Sequence, residues 1–210
     1  MPISSLLRYV AIFFAVCVSG VACTSILGIE PAECSPDYAD CKTVSPLCDT
    51  YCNTVMNACS GPLVQYFSLR NCLAVCDTLP AGEAGVVQVN SVQCRLTQAI
   101  AAQDIQDPNN TEKVATCAGA GPEGYLACGD ICQAVCSITN SVCKGSDNYF
   151  PPSDDCETNC NELASTSMPF NAFSDSPSGP TPECRLWHAC AATESPSVHC
   201  QHAEGQSTCK

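Results

Sequence analysis

The chain has 210 residues, a formal net charge of −13 and 21 cysteines, with aromatics at only 6%. One cysteine in ten argues against an ordinary cytosolic enzyme and marks a disulfide scaffold from an oxidising compartment, where crosslinks stand in for a large apolar core. The acidic balance argues against nucleic acid and anionic membrane surfaces as partners, since both attract positive charge.

Residues 1–22 read as a signal peptide. Arg8 and the free amine precede an apolar run, Tyr9–Ala22, of 14 residues. That is short of the roughly 20 needed to span a membrane and suits a secretory signal. The run ends Gly20-Val21-Ala22-Cys23, which resembles a bacterial lipobox with Gly20 in place of the usual Leu. Two readings stay open: Cys23 is the lipidated first residue of the mature chain, or ordinary cleavage nearby leaves it a thiol. Residues 23–44 form a tether whose N-terminal loop is clipped by a Cys34–Cys41 bridge.

From Ser45 onward the cysteine pattern is written twice. Cysteines at 48, 52, 59, 72 and 76 and at 132, 136, 143, 156 and 160 share gaps of three, six, twelve and three residues. The duplication divides the chain into a first helical copy, 45–128, and a second, 129–210. Ser45-Pro46 reads as a Ser N-cap with Pro in the first turn of a helix that runs to Cys59. At about 100° per residue, positions 48, 52 and 59 return to one helix face. A second helix runs from near Ser68 to Leu79, with Cys72 and Cys76 one turn apart. Two antiparallel helices carrying Cys-x3-Cys are laced by nested bridges, Cys48–Cys76 and Cys52–Cys72, each worth about 3–4 kcal/mol on the chain-entropy account. Asn90 or Ser91 caps a third helix, Val92–Ala102, from which Cys94 reaches Cys59. Asp107-Pro108-Asn109-Asn110 is a turn, and Cys117 pairs with Cys128 across a Gly/Pro-rich loop.

The second copy repeats the outline. Asp130 caps a helix through Cys143, Ser153 caps one carrying Cys156 and Cys160, and Thr181-Pro182 opens the third. Its bridges are Cys132–Cys160, Cys136–Cys156, Cys143–Cys184 and Cys200–Cys209. Tyr66 and Phe150, and Leu79 and Leu163, are core plugs at equivalent places. Aligning Cys94-Arg95-Leu96 with Cys184-Arg185-Leu186 sets Cys190 opposite Ile100. Cys190 is therefore the thiol left over. It is a small buried hydrophobe, with a reactive thiol or an intermolecular bridge as alternatives. The expected fold is mainly α: two tandem disulfide-laced helical units with long loops and small if any β content.

Catalytic signatures are missing. There is no Gly-x-Ser-x-Gly elbow, no phosphate-cradling Gly-x-x-x-x-Gly-Lys, no His-Glu-x-x-His, no Cys-x-x-Cys and no calcium loop. All three histidines, His188, His199 and His202, fall at the end of the second copy, beside Trp187 and Cys190. Neutral imidazoles bind copper or zinc, so the trio is a minor metal candidate. The plainer reading is one helix histidine and two in loops. Trp187 is either a local core residue or an exposed partner contact.

The run Leu27-Gly28-Ile29-Glu30-Pro31-Ala32-Glu33-Cys34, the stretch Cys48-x3-Cys52-x3-Met56-x2-Cys59 and the endings Cys184-Arg185-Leu186-Trp187-His188 and Val198-His199-Cys200-Gln201-His202-Ala203 resemble cysteine-rich predicted lipoproteins of myxobacteria. The resemblance spans the mature chain. It implies a secreted, membrane-anchored protein and carries over no catalytic residue. The third-helix arginine and the histidines recur in that pattern, which keeps a site near Arg185, His188, His199 and His202 as a minor hypothesis.

The function expected from these readings is a non-enzymatic, disulfide-stabilised structural or binding module of the cell envelope, at the outer membrane or cell surface. It needs no cofactor. Its partners are envelope or extracellular proteins or ligands, and it meets the membrane only through the lipid anchor. The alternative is a periplasmic or surface metal- or redox-binding protein that uses the C-terminal histidines.

Overall fold

A computed structural model describes residues 44–144, 153–166, 169–173 and 177–210. The signal segment, Cys23, the Cys34–Cys41 loop, Phe150 and the capping side chain of Ser153 lie outside them. Residues 44–210 form one compact unit. It is all helical, with no strand among the described residues: α1 Pro46–Ala58, α2 Leu69–Cys76, α3 Val92–Gln103, α4 Thr111–Ala120, α5 Ile131–Val142, α6 Ser153–Asn161, α7 Pro182–Ala192 and α8 Pro196–Ala203. The first four belong to the first copy and the last four to the second.

Local chemistry sets the helix starts. Ser68 accepts from the Asn71 N–H, Ser91 from the Cys94 N–H, and Thr181 from the Cys184 N–H, each satisfying an N–H that the first turn leaves without a partner. Asp130 and Gln133 form a reciprocal capping box at α5. At α1 the serine does less than expected. Pro46 occupies the first turn, but the Ser45 side chain makes no capping bond. The second helix also ends earlier than Leu79, at Cys76, and the chain leaves through Thr78 N–H···O Val75 and Leu79 N–H···O Cys76 turns.

The cysteines close the frame. Cys48–Cys76 and Cys52–Cys72 lace α1 to α2, and Cys132–Cys160 and Cys136–Cys156 lace α5 to α6. The remaining pairs correct the sequence reading. Cys59 bonds Cys117, not Cys94, and Cys94 bonds Cys128. In the second copy Cys143 bonds Cys200, not Cys184, and Cys184 bonds Cys209.

The physical reason is a fourth helix in each copy that the sequence reading left as loop. Asn110 caps α4 by accepting from the Glu112 and Lys113 N–H groups. Cys117 thereby sits on a helix surface turned to the end of α1, where Cys59 is the C-cap. Cys94, in the first turn of α3, is left to clip the loop that ends at Cys128. The outcome is one connectivity used twice: first cysteine to fifth, second to fourth, third to seventh, sixth to eighth. No bridge crosses between copies among the described residues.

The copies nevertheless share a core. Tyr51, Val55, Tyr66 and Val75 pack with Val135, Ile138, Leu186 and Ala189 in one buried cluster. Leu79 is also buried there, while Leu163 is half-buried. Asn71, fully buried, donates to the Cys190 carbonyl at 2.8 Å and to Thr193 Oγ1 at 2.9 Å, tying α2 to the end of α7. A strap from the long second-copy loop lies across the first copy. Ala172 N–H donates to Val64 O, Asn171 Nδ2 to Pro62 O, and Gln65 Nε2 back to Phe170 O.

Glu123 and Glu183 hold this strap from below. Glu123 Oε2 accepts from the Phe170 N–H at 2.8 Å, and Glu183 Oε1 accepts from Ser165 Oγ and the Thr166 N–H. Burial raises the Glu123 carboxyl to about 7, against the Phe170 hydrogen bond and with a further push from Glu183. The ordinary value is 4.5. The charged form is the one folding disfavours, so this contribution is complete below about pH 4.5 and is lost as pH rises through 7. Unfolding free energy should therefore fall by on the order of 3 kcal/mol between pH 4.5 and pH 8 from this group alone. Urea midpoints measured across that range in the parent and in Glu123→Gln check it: glutamine keeps the acceptor and removes the titration. An equal slope in both proteins would show that another group is responsible.

Candidate metal centre

The three histidines meet. His188 lies on α7, and His199 and His202 lie one turn apart on one face of α8. The two helices are joined by the short turn 193–195 and pack against one another. His188 Nδ1 stands 2.9 Å from His199 Nδ1 and 3.3 Å from His202 Nδ1. One ligand atom from each ring falls within 4.8 Å of the other two. The expectation of two loop histidines is thus corrected, because α8 is a helix. Its sequence carries the signal, Ser195-Pro196, a third echo of Ser45-Pro46 and Thr181-Pro182.

Two bridges fix the helices that carry the rings. Cys200, between His199 and His202, bonds Cys143 at the end of α5. Cys184, one turn before His188, bonds Cys209. The sulfurs of this second bridge also lie within 4.8 Å of a His188 nitrogen. Joined to each other they offer no thiolate, so nitrogen is the donor of this site.

His188 is buried, and His199 and His202 are half-buried, so the cluster opens to solvent on the α8 side. Burial, helped by the neighbouring His202 and His199 rings, lowers the His188 pKa to about 4. Burial and His202 lower His199 as well. Imidazoles held neutral keep a lone pair for a Lewis acid.

Trp187 walls the cluster. Its ring centroid is 4.9 Å from that of His188 and 5.8 Å from that of His199. On its other side it stacks edge-on with Phe67 of the first copy at 5.2 Å, and its Nε1–H donates to Ala172 O. Trp187 therefore belongs to the seam between the copies. Among the described residues Cys190 is the cysteine left unbridged, and it is buried. It sits among Arg95, Tyr51 and Tyr66, and burial pushes its pKa up against the pull of Arg95, which leaves it protonated and poorly nucleophilic. Arg185 packs over the loop of Gly205: a Cβ there would come within 2.3 Å of its guanidinium.

The first copy shows the same seat without the ligands. Gln98 aligns with His188 and Gly119 with His202. A Cβ at Gly119 would lie 3.3 Å from Gln98 Cγ, so the two positions touch there too. The juxtaposition is a property of how the third and fourth helices pack, and the second copy places imidazoles on it. Sequence reasoning missed Gln98 and Gly119 because it left α4 as a loop.

No family model, no curated protein and no solved structure matches the chain.

Proposed function

We propose that the protein is an exported cell-envelope module, anchored through a lipid on Cys23, that binds a ligand and catalyses no reaction. One observation carries the reading: the sixteen cysteines of the two copies close in one repeated bridge pattern and leave only Cys190, buried, as a thiol. Cysteines committed this way are framework, and such frameworks persist in oxidising compartments. The lipobox-like Gly20-Val21-Ala22-Cys23 and the resemblance to myxobacterial lipoproteins supply the anchor. No helix of the described residues is long and apolar enough to cross a membrane, so a lipid is the means of attachment this reading calls for. A second reading, favoured by the meeting of three imidazoles, makes the ligand a metal ion.

Intact mass of protein from the native membrane fraction tests export and anchoring together. The expected result is a lipid-sized increment on a chain beginning at Cys23, with Cys190 unreactive to iodoacetamide until the chain is denatured. A soluble cytosolic protein with several reactive thiols would overturn the reading.

A further inference from the structure

We propose that His188, His199 and His202 form a site for one first-row transition-metal ion of the Cu(II)/Zn(II) class, held by three imidazole nitrogens. The inference rests on the binding reading above but not on export or anchoring. Four observations converge on it.

The first is geometry. Nitrogens that share one ion at about 2.0–2.1 Å in tetrahedral array lie about 3.3 Å apart. The two Nδ1 pairs stand at 2.9 and 3.3 Å. Small side-chain rotations on rigid helices are enough to seat an ion between them.

The second is donor chemistry. All three donors are imidazole nitrogens, and the nearby sulfurs are consumed by the Cys184–Cys209 bridge. Three nitrogens without a carboxylate disfavour calcium and magnesium, which take oxygen, and suit Cu(II), Zn(II) and their neighbours, with Cu(II) bound most tightly. Three protein ligands on a tetrahedral ion leave one coordination position open, on the α8 side where His199 and His202 are half-buried.

Preorganisation is the third. The two rings of α8 flank Cys200, whose bridge to Cys143 holds that helix in place, and His188 follows Cys184 by one turn. A site on bridged helices loses little conformational entropy when it closes on an ion.

The fourth is the comparison inside the molecule. The first copy has the same bridges and the same contact between positions 98 and 119, yet holds Gln98 and Gly119. The frame therefore needs no histidine to fold, and the three imidazoles are additional to it.

That comparison also supplies the test variant. His188→Gln installs the residue the first copy already carries at this seat, so the fold is expected to survive. Trp187 is the single tryptophan of the chain and lies against His188, so its fluorescence reports the site directly. The purified oxidised protein is titrated with copper sulfate, and separately with zinc chloride, by fluorescence and calorimetry. The expected result is one ion per chain, quenching of Trp187 by Cu(II), and copper binding tighter than zinc. Losing a supporting group around a metal costs 10- to 100-fold, so losing a direct ligand in His188→Gln, or in His199→Gln, should weaken binding at least about 100-fold. Circular dichroism and bridge count unchanged in the variants would show that the frame is intact. Absence of stoichiometric binding, or binding unaltered in both variants, would overturn the site. Because the titration uses purified protein, it gives the same answer whether or not Cys23 carries a lipid.

Discussion

Replacing Cys59 and Cys117 together by serine should lower the unfolding free energy by about 4 kcal/mol, and by more than removing either nested bridge of the same copy. The bond closes a separation of 58 residues, against 28 for Cys48–Cys76 and 20 for Cys52–Cys72. In the chain-entropy account the longer loop restricts the unfolded chain more. The native side adds to the loss. Both sulfurs are fully buried where α4 meets the end of α1, and paired serine hydroxyls there would be removed from water. Overlap with the nested loops makes the figures non-additive, so a value between about 2 and 5 kcal/mol is the expected reading of urea unfolding. The single variant Cys59→Ser tests the pairing itself. Unfolded without reduction and alkylated, it should yield a new modified thiol at Cys117. A modified Cys94 in its place would restore the pairing that the sequence alone suggested.

That error and the histidine error have one source. The cysteine spacing made α1, α2, α5 and α6 legible, because Cys-x3-Cys at one-turn spacing on both partners of a pair leaves few ways to bridge them. Ser91 and Thr181 marked the third helices for the same reason: a short polar cap stands directly before a cysteine-bearing segment. The fourth helices carry no comparable apolar stripe. Thr111–Ala120 has Val114 as its one large apolar residue, and Pro196–Ala203 has only Val198, which is half exposed. The Asn110 cap and the Cys59–Cys117 bond hold α4, and the Cys143–Cys200 bond holds α8. Hydrophobic periodicity does not register a helix stabilised in that way. With α4 and α8 taken as loops, Cys117 and Cys200 had only loop partners, and His199 and His202 had no fixed relation to His188. The strap over Gln65 and the buried Glu123 depend on contacts between residues roughly 50 to 110 apart in the chain, which no local pattern records.

Arg95→Met should destabilise the protein by about 3–5 kcal/mol, and Arg95→Lys by nearly as much. Arg95 is fully buried, and its guanidinium donates to backbone carbonyls: Nε to Gly121 at 3.0 Å, Nη1 to Ser91 at 3.2 Å and Nη2 to Pro122 at 2.9 Å. Burial pulls its pKa below the ordinary value, opposed by the Tyr51 and Tyr66 hydroxyls and the Cys190 thiol that face it. Replacing a buried ion pair with apolar residues is often harmless because both charges go. Here the acceptors are main-chain carbonyls, which no side-chain substitution removes. Methionine would leave the Pro122 carbonyl without its donor. It would also take the second donor from the Gly121 and Ser91 carbonyls, which keep one backbone N–H each, from Gly124 and from residue 95. Each hydrogen bond lost from a charged group costs about 1.5–3 kcal/mol before relaxation. Lysine keeps the charge but not the planar fork, so one ammonium cannot replace three donors aimed at separate carbonyls. The comparison of the two variants therefore separates charge from geometry. Full retention of stability in Arg95→Lys would mean that the cation matters and its shape does not. Arg185, the half-buried equivalent in the second copy, should cost less when truncated. The damage in Arg95→Met should also be local. The loop it holds carries Tyr125 and Leu126 at φ of 33° and 60°, left-handed values that side chains other than glycine resist. With the guanidinium gone, that backbone is left to the Cys94–Cys128 bond, the Gln88 N–H···O Ala127 contact and the loop's own turns, in which the Ala127 and Cys128 N–H groups donate to Gly124 O. Limited proteolysis under native conditions should then cut this loop, between Tyr125 and the exposed Leu126, faster than in the parent protein.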